Sequence, residues 1–213
     1  MEIKENTYKG TRILFGDTAQ IKRDMINWFI GIITEYGFVE MMLPTIQNRE
    51  IFVDKIGDEN RNMMYEFTDR GERSLVLAPE YTAVIQRLAD TTFKHQKDVK
   101  IFYVGECFRG EKPQAGRYRQ FTQFGVEIIN PTRDYREELI TLASVMISRV
   151  TDDYRVDRNV SRGLDYYKDG RGFEIVCEGL GSSKQVCGGG EYDGGIGFAI
   201  GIDRILLLTN LIK

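Results

Sequence analysis

A chain of 213 residues, 42% hydrophobic and 29% charged, has the composition of an ordinary globular protein and enough length to bury a sizeable core. Its formal net charge of −3 excludes bulk attraction to nucleic acid, so any such contact must come from a local basic patch. One histidine, His95, nearly excludes a His-rich metal centre or a Ser-His-Asp triad, and three cysteines without a CxxC pair make no disulfide framework.

Ile21, Met25, Trp28, Phe29, Ile32 and Tyr36 recur at helical spacing and predict an early helix with one apolar face. Asp17 followed by Gln20 reads as a capping box at its start, and Gly37 as its stop. A short strand over 38–43, ended by Pro44, comes next. Strands over 63–68 and 74–77 join through Asp69-Arg70-Gly71, a hairpin signal. A helix over 80–89 and a strand over 99–108 lead into a polar loop holding Gly110, Pro113 and Gly116, then a strand over 118–129. A second long helix runs from about 135 to 150, and glycine-rich, strand-like sequence precedes a last helix over 203–211. Strands paired through short loops, with helices at intervals, predict an α+β fold on an antiparallel sheet rather than a doubly wound one. With no linker-like or repeated segment, residues 1–213 are expected to form a single domain. The apolar runs are far shorter than a membrane span and the first residues lack a secretory leader's pattern, so a cytoplasmic protein with no membrane partner is expected.

The strand over 118–129 is the most informative stretch. Alternate residues of a strand share a face. Its odd positions are Arg119, Phe121, Gln123, Gly125 and Glu127, whereas Thr122, Phe124, Val126 and Ile128 make the other face increasingly apolar. A solvated outer face would also be polar, but Phe121 sits among these polar residues and Gly125 leaves a gap in the row. A glycine inside a strand often marks close approach of a ligand. The odd face thus offers a cation, an aromatic plate, an amide, a space and a carboxylate, an inventory suited to a molecule carrying phosphate, a flat ring and a positive charge. On the preceding strand Ile101, Tyr103, Gly105, Cys107 and Arg109 share a face, and a guanidinium at that end can grip phosphate with two parallel hydrogen bonds.

The run from Cys107 to Glu127, with FRGE before the loop and GRYRQF after it, resembles motif 2 of histidyl-tRNA synthetases. In the order that family expects, Arg162-Gly163-Leu164-Asp165-Tyr166-Tyr167 resembles its histidine-binding signature. The segment from Ile196 to Arg204 resembles motif 3, and the first helix with its strand and Pro44 resembles the looser motif 1. The resemblance implies a class II synthetase-like catalytic domain, a homodimer paired through motif 1, and two reaction steps. Histidine and ATP give histidyl-adenylate and pyrophosphate; the histidyl group then passes to tRNA. Arg109, Arg162 and Arg204 would be the catalytic cations. Arg109 would hold the α-phosphate, Arg204 the distal phosphates and one side of the adenine, and Phe121 would stack on the other. Glu111 would lie at the adenine's amino edge and Arg119 by the phosphate tail. Mg2+ bridging the phosphates is expected, with no protein metal ligand assigned.

An imidazole needs partners at both nitrogens. By the resemblance Glu127, Tyr166 and Tyr167 with Arg162 hold the histidine, while Glu80, Thr82 and Gln123 hold its α-amino group. Glu80 would equally suit a helix start, favoured by the dipole. The Gly188-Gly189-Gly190 run lets backbone approach the substrate closely. Lys112, Gln114 and Arg117 of the loop would meet the tRNA acceptor end. Departures accompany these matches. Ala78 and Tyr81 replace the arginine and glycine of LRPEGT, and Glu191 the arginine of GGRYD. Asp203 replaces a glutamate in motif 3, shortening its reach to metal or phosphate. The family's insertion and anticodon-binding domains are expected to have no counterpart within these 213 residues. Two functions fit: a histidine-activating enzyme with L-histidine, ATP and the tRNA acceptor stem as partners, or a non-catalytic histidine-binding paralogue resembling the regulatory subunit of ATP phosphoribosyltransferase.

Overall fold

The computed structural model describes residues 2–3, 7–57, 61–160, 167–180 and 184–209. The first half holds β1 (Glu2–Ile3), β2 (Ile13–Leu14), α1 (Asp17–Glu35), β3 (Val39–Glu40), β4 (Ile46–Asn48), β5 (Tyr65–Thr68), β6 (Ser74–Leu77) and α2 (Thr82–Asp90). The second holds β7 (Val99–Phe108), β8 (Gln120–Ile129), α3 (Arg136–Ser148), β9 (Arg155–Val160), β10 (Gly172–Val176), β11 (Gln185–Tyr192), β12 (Gly195–Gly201) and α4 (Ile202–Ile205). Seven strands form one sheet in the order β3-β7-β8-β12-β11-β10-β9, and β4-β6-β5 form a separate one. The architecture is α+β and antiparallel, except that β3 runs parallel to β7.

Helix α1 buries Thr18, Met25, Ile26, Phe29 and Ile33. Trp28 and Tyr36, expected on the same face, are 57% and 53% exposed. Ile26 and Ile33 pull the buried stripe to one side, leaving Trp28 on the opposite shoulder, and Tyr36 is the C-cap, past the last helical residue. The capping box does not form: Gly16 occupies the N-cap at φ 61°, ψ −136°, a conformation open to glycine. The Gln20 amide side chain instead donates to Asp24 at 2.8 Å. Gly37 does stop the helix. At φ 79° it donates its N–H to Thr34 O at 3.0 Å, while Phe38 donates to Ile33 O at 3.4 Å, the paired bonds of a Schellman turn.

Other boundaries shift for local reasons. The strand expected over 38–43 keeps regular pairing only at Val39–Glu40, with one further bond from Met41 N–H to Phe102 O. Helix α2 begins at Thr82 because the Glu80 carboxylate accepts the N–H groups of Thr82 and Ala83 at 2.7 and 3.0 Å, satisfying donors a helix start leaves open. The final helix is four residues long and tightens into a 3-10 turn over Leu206–Thr209.

The pleat divides the large sheet into two unlike faces. Phe102, Phe124, Val126, Ile128, Phe173, Ile175, Phe198 and Ile200 point to one side, where they pack with Met25, Phe29 and Ile33 of α1 and Leu139, Ala143 and Met146 of α3. On the other side Ile101, Tyr103 and Cys107 pack with Val76, Tyr81 and Ile85, so β6 and α2 cover only the β7 half. The uncovered half is made of narrow residues in register: Gly197 opposite Glu127, Ala199 opposite Gly125, Gly201 opposite Gln123, with Gly188 and Gly190 beyond them. That half holds the candidate site. Phe29 is fully buried, edge-on to Phe124 with centroids 5.6 Å apart. Replacing it with Ala is expected to cost about 3–5 kcal/mol in urea unfolding, through lost burial and an unfilled cavity.

Candidate functional site

A cavity of about 150 Å³ opens on the narrow half of the sheet. Of the residues singled out by sequence, Glu80, Thr82, Arg109, Glu111, Arg117, Phe121, Gln123, Tyr167 and Arg204 line it. Cations gather at one end. Arg109 closes β7, donates from Nε to Pro79 O at 2.9 Å, and lies 5.3 Å from the Phe121 ring centroid. Arg204, at the start of α4, donates from Nε to Gly116 O at 2.9 Å and from Nη1 to Gln185 O at 2.6 Å. Burial lowers the Arg204 pKa, and the Arg117 and Arg109 guanidiniums lower it further against an opposing effect of Glu111. The carbonyl contacts fix the planes of both guanidiniums. Three positive groups thereby share a partly buried wall with Glu111, whose carboxylate is 3.7 Å from Arg117. Such a wall favours a polyanion.

At the other end lies Glu127, 1% exposed. Thr82 Oγ1 donates to its Oε1 at 3.2 Å and Tyr192 OH to its Oε2 at 2.9 Å. Burial pushes its pKa up to about 8, outweighing both hydrogen bonds. The carboxyl occupies space that a Cβ on Gly197 would take. Glu127 therefore lies one residue behind the cavity wall, reached through Thr82. Gln123 accepts the Cys107 thiol proton at 3.1 Å, and burial raises the pKa of that thiol. Tyr167 crosses Tyr192 edge-on at 6.3 Å.

Some expected residues lie elsewhere. The Arg119 guanidinium turns to Tyr8 OH at 2.7 Å and to Glu111 O at 3.1 Å, outside the cavity lining. Lys112 and Gln114 are exposed on the hairpin tip. Arg162 and Tyr166 lie outside the described residues. The gap read at Gly125 is filled by the ring of Tyr103, its partner in register. Within the glycine run, Gly189 is packed against Phe173 on the core side rather than facing the cavity. The Asp203 carboxylate is held by Arg12, by Lys22 at 3.2 Å and by the Thr122 N–H at 2.5 Å, and Asp203 also lines the cavity.

Two residues were missed. Tyr192 holds Glu127, and the Tyr103 hydroxyl is buried without a hydrogen-bond partner among the described residues. The alternation of β7 already put Tyr103 on the site's face, and only its pairing with Gly125 was needed to find it. The departures have structural partners. Tyr81, 0% exposed, lays its ring where Gly105 has no side chain and meets Tyr103 edge-on at 5.2 Å. Glu191 accepts from Lys168 and Arg171 at 2.7 and 2.8 Å, so its reversed charge is neutralised away from the cavity.

A family model described as histidyl-tRNA synthetase matches residues 10–148, well over half of the chain. The chain belongs to the histidyl-tRNA synthetase family. A histidine–tRNA ligase of Methanosarcina acetivorans is 28% identical over 97% of this chain and 76% of its own length. That alignment is 316 positions long against 213 residues here, so the relative carries internal segments without counterpart. Apo histidyl-tRNA synthetase of S. aureus is similar in structure at TM-score 0.79 and 25% identity, over 97% of this chain and 70% of that one. A Bacillus halodurans protein described as an ATP phosphoribosyltransferase regulatory subunit/histidyl-tRNA synthetase shares the fold at TM-score 0.77 and 15% identity, over 99% of this chain and 85% of that one.

The buried acid of this family member gives a pH signature. Glu127 holds its proton up to about pH 8 in the folded state but only to 4.5 otherwise. The stability this proton brings is complete below the lower value and is lost as pH rises through the upper one, by up to ~1.4 kcal/mol per unit. Glu127→Gln removes that dependence. Urea midpoints measured between about pH 5.5 and 8.5 should fall more steeply for the natural chain than for the variant; parallel curves would show that Glu127 is not protonated in the fold.

Proposed function

We propose that this protein activates L-histidine with ATP to form histidyl-adenylate and then transfers the histidyl group to the acceptor end of tRNA. Support comes chiefly from the convergence of Arg109, Arg117 and Arg204 on the lining of one cavity, with the buried Glu127 behind its wall and hydrogen-bonded to the lining residue Thr82. In the first step a histidine carboxylate oxygen bonds to the α-phosphorus while the bond to the pyrophosphate oxygen breaks. Such a transfer depends on positioning and charge stabilisation rather than on a protein nucleophile. Arg109 grips the α-phosphate, Arg204 meets the distal phosphates and one face of the adenine, and Phe121 covers the other face with Glu111 at its edge. Arg162 is the further cation at the reacting phosphate by family resemblance. Glu80, Thr82 and Gln123 hold the α-amino group; Glu127, reached through Thr82, acts with Tyr166 and Tyr167 on the imidazole.

Among the described residues no three His, Cys, Asp or Glu side chains converge as a metal cage, and the Asp203 carboxylate is committed to cations. Mg2+ bound together with the nucleotide would neutralise phosphate charge. Val39, Met42 and Ile46, at 61%, 86% and 54% exposure, offer apolar surface for a homodimer, and isologous pairing is the commonest association. No helix among the described residues is long and apolar enough to cross a membrane. Lys112, Gln114 and Arg117 on the hairpin give the acceptor stem a few salt-sensitive contacts.

The test is histidine-dependent exchange of labelled pyrophosphate into ATP, run beside the other amino acids. Histidine should be the best substrate. Arg109→Ala and Arg204→Ala should each lower the rate about a hundredfold to a thousandfold with the fold retained. The fold shared with the Bacillus halodurans protein favours a second reading, a histidine-binding regulator; calorimetric histidine binding without exchange would decide for it. Sedimentation at micromolar concentration should show a dimer, and a monomer would reject motif 1 as an interface.

A further inference from the structure

We infer that the segment Tyr8–Arg12 is a strap that positions the nucleotide side of the site, with Arg12 as its anchoring residue. The inference rests on the proposed reading for its catalytic consequence, but its structural part stands alone. No strap residue lines the cavity, so any influence passes through the groups the strap holds.

Arg12 is a buried cation with two tasks. Its side chain is 5% exposed and pairs with Asp203, itself 6% exposed. Its guanidinium also lies 3.6 Å from the centroid of Tyr118, which lines the cavity. A carboxylate buried this deeply requires neutralisation. Asp203 draws it from Arg12 on the strap, from Lys22 on α1 at 3.2 Å, and from the Thr122 N–H of β8 at 2.5 Å. Asp203 directly precedes Arg204, so fixing its carboxylate fixes the turn of helix from which Arg204 reaches Gly116 O and Gln185 O.

The rest of the strap holds the hairpin loop that follows β7. Gly10 O accepts the Arg119 N–H at 2.7 Å. Arg119 Nη1 donates to Tyr8 OH at 2.7 Å and to Lys9 O at 3.3 Å. Gly10, at φ +89°, lies so close to the loop that a Cβ there would fall 2.8 Å from Pro113 Cγ. The contacts close a ring: strap to Asp203, Arg204 to Gly116 O, and the loop back to the strap through Arg119. A ring of this kind sets the loop's height over the cavity without touching a ligand. It also gives Arg119 a role other than phosphate contact.

Backbone hydrogen exchange over 110–119 in the full chain tests the strap, alongside KM for ATP, kcat, and the equilibrium affinities for ATP and histidine. Arg12→Met should speed exchange in the loop and weaken ATP about tenfold each, with histidine affinity within about twofold, since misplacement by an ångström is costly only where geometry is set. Arg12→Lys restores the charge beside Asp203 but not the cover over Tyr118, and should fall between. Tyr8→Phe deletes an exposed hydroxyl that bonds Arg119 and Tyr65, leaves the buried core untouched, and should shift both readouts about twofold to fivefold in the same direction. Unchanged loop exchange in Tyr8→Phe and Arg12→Lys would overturn the strap, as would equal loss of ATP and histidine affinity in Arg12→Met. If Arg12→Met does not fold, the other two variants decide by the same criteria. If the natural chain shows no pyrophosphate exchange, the enzyme reading fails, while loop exchange and ATP affinity still judge the strap.

Discussion

A β-sheet can present a ligand site on its surface only where its own side chains leave that surface unclaimed. The seven-stranded sheet meets this constraint by splitting bulk between its faces. On β8 and β12 the residues turned towards α1 and α3 are Phe124, Val126, Ile128, Phe198 and Ile200, whereas those turned the other way include Gly125, Gly197, Ala199 and Gly201. Because the side-chain period of a strand is two, a one-residue slip would exchange the two sets. The helix-side core thus fixes the register of the site, and mutations deep in that core act on the site through register as well as stability.

The narrow side chains serve two purposes that look alike in sequence. Some leave room for a ligand. Others leave room for the protein's own groups: Gly125 for the Tyr103 ring, Gly105 for Tyr81 and Gly197 for the Glu127 carboxyl. The second group lets large polar residues lie flat within a buried layer. It is how a carboxyl with two hydrogen bonds comes to rest where burial keeps its proton. At the opposite end the guanidinium planes are held by main-chain carbonyls, so little reorganisation is required when charge arrives.

The parts legible in sequence were those encoded locally. β7 and β6 have the expected bounds because their periodicity and flanking turns are complete within the segment. The motif residues Arg109, Phe121, Gln123 and Arg204 meet at one cavity because strand alternation places the first three, and a strand-to-helix turn the fourth. What escaped reading depended on partners distant in sequence. The face of α1 is set by what lies opposite it, so Trp28 could not be excluded from the core in advance. Whether Gly125 faces a ligand or Tyr103 depends on cross-strand register, and the side taken by Asp203 on Arg12 and Lys22, each about 180 residues or more away. The parallel joint of β3 to β7 pairs segments about 60 residues apart, which no local pattern encodes.

The order of the large sheet ends on β9, and that end is unlike the one at β3. Arg155 pairs with Asp157 along the strand at 2.7 and 2.8 Å, and Arg158 reaches Glu137 at 3.1 Å. Asn159 takes a left-handed backbone at φ 59°, and the pairing to β10 slips between Gly172 and Phe173. An incoming strand would have to desolvate several charges and follow a bent template, which disfavours edge-to-edge growth. β9 therefore works as a terminator: it guards a sheet rich in Ile, Val and Phe against templated aggregation, so that this edge can stay open to solvent without recruiting foreign strands.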